Sequence, residues 1–367
     1  MGQRALTAFF PELAARVPFA ELGQFPSPVE PLAQLVDASL PHAGDTYVKR
    51  DDISSPSYGG NKVRTLESLF GSALQQGNNC HVVAVGAYGS NHAVATVLHA
   101  ARLGLSSGAM VFPQPFSATA RDNLRVTVAK VGELYPLWHW LSVPFAIWDL
   151  RRRLRRRGTP SLVMPPGGAN PIGALGYVSA ALELAEQVRA GELPAPQRIV
   201  LGVGSTCTSA GLLLGCALAA RMGIGFERRP QVVSIRVTPW PVTSRFRIVS
   251  LAHRTSALLH RLSGDARFAF SQAELADGLR IDGRFLGAGY GRATADGLQA
   301  TQALAPWGPQ ALDTTYGAKS AAGLLATIAE HAGPTVYWAT KSSVPLPDVD
   351  DAALSRAPKA MLNWLRG

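Results

Sequence analysis

The chain has 367 residues, of which 47% are hydrophobic and 16% are charged. That length suits two domains or one large α/β unit, and the composition excludes a disordered chain. The three cysteines, Cys80, Cys207 and Cys216, show no paired spacing, so we expect free thiols in a reducing compartment. The eight histidines lack neighbours at metal-ligand spacing, so no metal site is expected.

The first residues of the chain do not resemble a targeting segment. Their short apolar patch is interrupted by Pro11 and Glu12. A secretory signal has a longer apolar region, and no run in the chain approaches the ~18 apolar residues of a membrane span. We therefore expect a cytoplasmic protein without a membrane partner.

The net charge of +10 comes largely from one segment, Arg151–Arg157, which reads RRRLRRR. Its six arginines leave only +4 for the rest of the chain. Such a run can bind nucleic acid, but no nucleic-acid motif accompanies it, so a solvated helix face is the better interpretation. The aromatic residues just before it are interpreted as core or as a subunit contact: Trp138, Trp140, Phe145 and Trp148.

A lysine in residues 47–70, YVKRDDISSPSYGGNKVRTLESLF, draws attention first. A short strand leads through a polar loop to Gly59-Gly60, a pair that permits left-handed or crowded backbone. Asn61 is expected to cap the helix that follows, which places Lys62 in its first turn. The partial positive charge there disfavours an ammonium, and a Schiff-base lysine needs the free amine. A solvated lysine at a helix start is the alternative.

Residues 81–104 have the pattern of a strand, a polar turn and a helix, which is the βα unit of a parallel sheet. Ser90 and Asn91 lie at the turn, where side-chain oxygens and helix N–H groups can hold an anion. A Ser-Asn pair that only caps the helix is an equally good interpretation.

The segment Arg198–Gly215, RIVLGVGSTCTSAGLLLG, has a strand at 199–203 and then an apolar helix. Between them lie small and hydroxyl residues, Gly204, Ser205, Thr206, Cys207 and Thr208. A turn of this kind offers backbone N–H groups to a phosphate. It is neither a Walker loop nor GxGxxG, because no Gly-Lys-Ser/Thr follows and residue 207 is cysteine.

Further strands are expected at 110–112, 162–164, 232–237 and 335–339. The pattern does not divide residues 116–157 clearly, and it indicates a long helical region from the end of the 232–237 strand to about Leu275. Tyr290 and Tyr316 lie in or beside glycine-containing loops, where tyrosines are commonly packing residues. Alternating strands and helices predict an α/β fold with parallel-rich sheets, whose ligands bind at the carboxyl ends of strands.

An activated lysine together with a phosphate site that is not of the nucleotide type fits pyridoxal 5′-phosphate. The sequence also resembles the D-cysteine desulfhydrase and 1-aminocyclopropane-1-carboxylate (ACC) deaminase family, which has the tryptophan synthase β-like fold (fold type II). The resemblance extends from Phe25 to Thr340. Its motifs occur in family order: FPSPVEPL, YVKRDD, GGNKVRTLE, GSNHA, GGANPIGALGY, GAGYGRATADGL and TYGAKSAAGL.

The resemblance implies two domains, a large one (1–64 and 177–367) and a small one (65–176), and a homodimer. It implies that Lys62 forms the Schiff base, that Asn91 contacts the phenolic oxygen of the cofactor, and that residues 204–208 hold its phosphate. Thr340 would face the pyridine nitrogen.

The resemblance also implies how substrate is handled. Ser90 would meet the substrate carboxylate or assist proton transfer, and Tyr290 and Tyr316 match the two active-site tyrosines of the family. The residues expected around the substrate are Tyr88, Ser90, Asn91, His92, Tyr290 and Tyr316.

Several positions depart from the family pattern. Tyr88-Gly89 replaces an aliphatic residue and Gln, Ala169 replaces a common Ser, and Lys341-Ser342 replaces Gly-Gly. Gly317 stands where ACC deaminases carry Glu and desulfhydrases commonly Thr. These changes surround the substrate, and the missing Glu argues against ring opening of ACC.

The expected reaction is an α,β-elimination on a small, D-cysteine-like amino acid, which releases a 2-oxo acid and ammonia. Lys62, or Ser90 through it, would be the base, and Tyr290 or Tyr316 the proton donor. The alternatives are ACC deamination, racemisation and β-replacement. A protein of another class, a catalytically inactive binding protein with this fold, remains open as well.

Overall fold

A computed structural model describes residues 4–36, 40, 42–308, 312–313 and 316–367. Two β-sheets, each covered by helices, form the described chain. Its strands are β1 (Val29–Pro31), β2 (Thr46–Lys49), β3 (His81–Ala87), β4 (Ser107–Phe112), β5 (Glu133–Pro136), β6 (Ser161–Val163), β7 (Arg198–Val203), β8 (Gln231–Arg236), β9 (Leu279–Asp282) and β10 (Thr335–Trp338).

The α-helices of the same residues alternate with these strands over most of the chain. They are α1 (Ala5–Phe9), α2 (Asn61–Leu74), α3 (Asn91–Arg102), α4 (Ala118–Lys130), α5 (Val143–Arg156), α6 (Pro171–Arg189), α7 (Cys207–Arg221), α8 (Arg245–Ser263), α9 (Gln272–Asp277), α10 (Ala295–Ala303), α11 (Gly317–Glu330) and α12 (Lys359–Arg366). Within the described residues, no helix is long and apolar enough to span a bilayer.

The larger sheet has the strand order β1-β2-β10-β7-β8-β9. Only the edge pair β1–β2 is antiparallel. Helices α6, α7 and α8 pack on one face and α11 on the other. The central strands β7 and β8 are apolar towards both faces, as strands of a doubly covered parallel sheet must be.

The smaller sheet is wholly parallel, in the order β5-β4-β3-β6. One face packs against α2, α3 and α4, and Met361 of α12 joins this core. The other face packs against α5 through Leu150 and Leu154. The chain passes from the large sheet to the small one through α2 and returns through α6. The exact domain boundaries, 64/65 and 176/177, stay a prediction.

These sheets confirm the α/β fold with parallel-rich sheets. Three edge strands were not predicted as strands: β1 has three residues, and β5 and β9 have four each. The long helical region predicted up to about Leu275 is divided into α8 and α9, and β9 follows it. All three cysteines are buried free thiols, as expected.

The segment around α5 only partly matches expectation. Its arginines are exposed, as a solvated helix face requires, and the absence of a nucleic-acid partner stays a prediction. The aromatic residues before and within α5 are exposed too, Trp138 by 79% and Phe145 by 69%. The core interpretation of these residues is therefore wrong, because α5 buries only Val143, Leu150 and Leu154. A subunit contact stays a prediction.

A buried ion network joins α2 to both the large sheet and α6. The guanidinium of Arg64 donates two hydrogen bonds of 2.8 Å to Asp51 and two of 2.9 Å to Glu183. Lys49 Nζ donates to Glu183 and Gln187. Burial by itself raises the pKa of Glu183, but the charges of Arg64 and Lys49 outweigh it and lower that pKa to about 2.

We expect Glu183→Gln to lower the free energy of unfolding by about 3–5 kcal/mol, because removal of one partner leaves the others buried and uncompensated. The carboxylate has a folded pKa of about 2 and an ordinary value of 4.5. Its contribution is therefore complete above pH 4.5 and is lost as the pH falls towards 2. Urea unfolding at several pH values should show a shallower acid decline in the variant.

The matched control is Glu186→Gln on the same helix, since the ion pair of Glu186 with Arg189 is largely exposed. That change should cost at most about 1 kcal/mol. If Glu183→Gln and Glu186→Gln lowered the free energy of unfolding equally, the buried network would not be important for stability.

Candidate functional site

Lys62 lies in the first turn of α2 and only 8% of it is exposed. Its Nζ is 3.4 Å from Ser205 Oγ and 3.4 Å from the carbonyl oxygen of Gly167. Burial lowers the pKa of Lys62, although the nearby Cys207 opposes this. The alternative of a solvated lysine is therefore wrong, and the amine is held close to the hydroxyl-rich turn after β7.

The start of α2 is fixed against the end of β10. Gly60 has φ +85°, and a Cβ there would lie 2.7 Å from the Thr340 carbonyl oxygen. The backbone N–H of Asn61 donates to that same oxygen over 2.9 Å. The glycine prediction is confirmed, but Gly60 rather than Asn61 is the N-cap. Asn61 is the first helical residue because the Thr340 contact holds its backbone.

The turn between β7 and α7, residues 204–208, brings the second predicted feature to Lys62. The residue before α7, Thr206, has φ +71°, a conformation that is strained for a β-branched residue. Such strain is concentrated at functional sites. Asn61 Nδ2 donates to Thr208 Oγ1 over 3.0 Å and thereby joins the two helix starts. Burial raises the pKa of Cys207 to about 11, so it stays a thiol.

Asn91 begins α3 at the end of β3. Its Oδ1 accepts hydrogen bonds of 2.9 Å from Tyr58 Oη and from Asn123 Nδ2. Two donors on the oxygen fix the amide orientation, so its NH₂ group faces away from both and can donate to a ligand. Sequence reasoning missed Tyr58 and Asn123. The sequence signal for Tyr58 was its position next to Gly59, and no sequence signal indicated that Asn123 belongs to the site.

Ser90 is the N-cap of α3, with its Oγ accepting from the N–H of Ala93. Ser90 therefore caps the helix, and its hydroxyl proton can still be donated. His92 is the second residue of α3 and is buried, and burial together with the charge of Lys62 lowers its pKa to about 3. His92 is thus neutral, and neither of its ring nitrogens has a hydrogen-bond partner among the described residues.

Tyr88, unlike Ser90 and Asn91, is a residue of the hydrophobic core. Its ring lies in the core of the small sheet, edge-on to Trp364 with ring centroids 5.1 Å apart. Packing accounts for this tyrosine, and its contact with substrate stays a prediction.

Tyr290 and Tyr316 are brought together although 26 residues separate them. Tyr316 Oη donates to Tyr290 Oη over 3.1 Å, and the Tyr316 ring covers Gly204, where a Cβ would meet it at 2.7 Å. Burial raises the pKa of Tyr290 to about 12 and raises that of Tyr316 as well. Both hydroxyls therefore keep their protons at neutral pH. The backbone N–H of Tyr316 donates to Asp313 Oδ1.

These groups fit pyridoxal phosphate. A buried amine, which can bond an aldehyde, lies 3.4 Å from a turn whose helix N-terminus and hydroxyls suit a phosphate. Gly167 packs against this same turn, because a Cβ there would lie 3.6 Å from Lys62 Nζ and 2.1 Å from Ser205 Cβ.

Comparison with known proteins agrees with the site. Residues 20–339 match the family described as pyridoxal-phosphate dependent enzyme, and the chain belongs to that family. Pyridoxal phosphate is the cofactor, and the fold is fold type II.

The chain is 35% identical to nocardicin C-9′ epimerase of Nocardia uniformis subsp. tsuyamanensis, over 81% of this chain and 86% of that protein. It is 31% identical to D-cysteine desulfhydrase of Salmonella paratyphi C, over 86% and 90%. A solved ACC deaminase homologue superposes with a TM-score of 0.65 at 27% identity, over 94% of this chain and 96% of that one.

We expect Gly167→Ala to weaken retention of pyridoxal phosphate at least about tenfold, because the new methyl group collides with Ser205 at the turn. The measurement is cofactor absorbance after dialysis against buffers of decreasing pyridoxal phosphate concentration.

Gly104→Ala is the matched control. Gly104 has φ +66° against +68° for Gly167, but nothing lies within 4 Å of its Cβ position. Both variants therefore bear the same backbone strain, of about 1 kcal/mol, and only one has the collision. Equal cofactor retention by the two would show that Gly167 does not border the cofactor.

Proposed function

We propose that this enzyme catalyses α,β-elimination on a small amino acid and releases a 2-oxo acid and ammonia. The observation that carries the proposal is the arrangement of a buried amine beside the phosphate turn, with two protonated tyrosine hydroxyls bonded to each other over the same turn. The coarser assignment, a pyridoxal-phosphate dependent lyase or deaminase, follows from the family and its relatives.

Bound pyridoxal phosphate supplies an electron sink for the negative charge that develops at Cα. Lys62 would hold the cofactor through its ε-amine, and its free amine would serve as the base that removes the α-proton. Its lowered pKa makes the neutral amine available for this. Asn91 would help to hold the cofactor through its free amide N–H, and Ser90 would donate to the substrate carboxylate.

The β-substituent leaves next, with its electron pair. Tyr316 and Tyr290 remain protonated at neutral pH, so one of them can give its proton to the departing group. Thr340 would face the pyridine nitrogen as a neutral partner. A neutral partner would not hold a proton on that nitrogen, which would favour prompt elimination over transamination.

Position 317 lacks the Glu that ACC deaminases carry, which argues against ring opening of ACC. A Cβ on Gly317 would lie 2.7 Å from Leu312 Cα, so the main chain leaves no room for any larger residue there, whether that Glu or the Thr of desulfhydrases.

Epimerisation at Cα is the second candidate, favoured by the 35% identity to nocardicin C-9′ epimerase. It uses the same removal of the α-proton but returns a proton to the opposite face. The two functions therefore separate after a shared first step.

The test is a panel of D- and L-amino acids presented to the yellow holoenzyme. Pyruvate and ammonia from D-cysteine or β-chloro-D-alanine support elimination, and 2-oxobutyrate from ACC would favour deamination. Exchange of the α-hydrogen in D₂O with inversion, without a 2-oxo acid, supports epimerisation. Borohydride should fix the cofactor mass on the peptide with Lys62. A colourless protein would favour the inactive binding protein.

Tyr316→Phe should lower kcat for elimination by roughly 10²–10⁴-fold, because a proton donor is lost. The absorbance of the bound cofactor should stay unchanged. Tyr135→Phe on edge strand β5 removes a hydroxyl that bonds to Glu133 at the surface, and it serves as the control. Unchanged kcat in Tyr316→Phe would exclude the tyrosine as donor.

A further inference from the structure

Lys341 lies at the wall of the candidate site, directly after Thr340 at the end of β10. The main chain of residues 340–342 packs on Gly60, where a Cβ would be within 3.3 Å of three of its atoms. Because the Thr340 carbonyl also holds the N–H of Asn61, Lys341 is fixed one residue away from the anchor of the Lys62 helix.

The side chain of Lys341 extends over Tyr58, with its Nζ 5.7 Å from the ring centroid. Tyr58 is the residue whose hydroxyl bonds to Asn91. The charge of Asp313, which accepts from the N–H of Tyr316, also acts on Lys341. Lys341 Nζ therefore lies beside Tyr58, on the Asn91 side of the site.

This ammonium has few partners. Nζ donates to one acceptor, the Ser342 carbonyl oxygen at 3.2 Å, whereas an ammonium has three protons to donate. Among the described residues no carboxylate lies within ion-pairing distance of it, in contrast to Lys49, which bonds to Glu183, Gln187 and the Ser27 carbonyl. Burial lowers the pKa of Lys341, and Asp313 opposes this shift. Buried charges in proteins are usually paired, so the free protons of Lys341 Nζ can take an anion from outside the chain.

We propose that Lys341 binds a negatively charged group on the side chain of the substrate, so that the substrate class is an amino acid with an anionic β-substituent. The inference rests on the proposed function. The α-carboxylate is assigned to Ser90, so the charge of Lys341 is left for a second anion: a carboxylate, a sulfonate or a phosphate. An ammonium suits any of these as a point charge.

The same contact assists elimination. The α-proton passes to the base, the bond from Cβ to the substituent breaks, and its electron pair leaves on that substituent. Lys341 then stabilises the negative charge of the leaving group. Water completes the reaction by releasing the 2-oxo acid and ammonia.

The test compares matched neutral and anionic amino acids: D-cysteine with S-sulfo-D-cysteine, and D-serine with O-phospho-D-serine, each also as the L-form. Two readouts are taken, kcat/KM for pyruvate release and Kd from the shift in cofactor absorbance. In the natural protein the anionic member of each pair should be preferred at least about tenfold. Lys341→Gln should reduce that preference roughly 10- to 100-fold, the effect of one charge-assisted hydrogen bond.

Lys341→Arg should keep most of the preference, and Lys130→Gln, at an exposed position, should keep all of it. If Lys341 only balances the charge of Asp313, Lys341→Gln should weaken kcat/KM and binding equally for neutral and anionic compounds. This outcome would overturn the proposal. So would a natural preference for the neutral compounds.

The two hypotheses fail in different ways. If no amino acid yields a 2-oxo acid but Lys341→Gln still loses its preference in Kd, elimination is wrong and the anion site stands. If D-cysteine yields pyruvate and Lys341→Gln leaves both ratios unchanged, elimination stands and the anion site is wrong.

Discussion

Arg64 holds Asp51 and Glu183 at once, and the position of the reactive lysine depends on this arrangement. Asp51 follows β2, Glu183 belongs to α6, and Arg64 is two residues beyond Lys62 in α2. Asp51 also accepts from Tyr177 Oη and Trp338 Nε1, and its carbonyl accepts from the N–H of Gly60. A buried guanidinium tolerates no displacement from carboxylates that it bonds bidentately, because each lost bond leaves a charge without solvation. The first turn of α2 is therefore fixed in both position and rotation.

The parallel sheet then brings the remaining groups to that turn. Strands β2, β10 and β7 are neighbours in the large sheet and run in the same direction, so their carboxyl ends lie along one edge. The loop to Lys62, residues 340–342 and the turn 204–208 follow these three strands. The small sheet contributes Ser90 and Asn91 from the end of β3. Residues from distant parts of the chain meet there because of the strand order. Hydrogen bonds from Asn61 then hold the start of α2 to the segments that follow β10 and β7.

The sequence contained enough to predict the parts of this site that a local pattern encodes. Two local patterns each indicate a backbone conformation, and both were recognised. They are Gly59-Gly60 before Lys62 and the hydroxyl-rich turn at 204–208. Strands buried in the sheet centres were also predictable, because their apolar runs are continuous. Edge strands β5 and β9 were not, since half-exposed short strands have no such run. The exposure of Trp138 and Phe145 was missed because hydrophobicity alone does not say which aromatic residues before and within α5 meet the sheet.

Tyr58, Asn123 and Lys341 could not be assigned from local pattern, since each acquires its role through a partner distant in the chain. Tyr58 and Asn123 converge on one oxygen of Asn91 from positions 33 and 32 residues away. The proposed role of Lys341 depends on its contact with Tyr58 and on the charge of Asp313, which lie on two other loops. The Arg64 network and main-chain contacts both fix the positions of the groups around Lys62. A side-chain change among those groups therefore disturbs folding. The main chain of residue 341 packs on Gly60, but among the described residues its side chain donates only to the Ser342 carbonyl oxygen, so a new side chain there changes the charge of the site and keeps the main-chain contacts. A fold of this kind can alter its substrate at such positions while it keeps its cofactor.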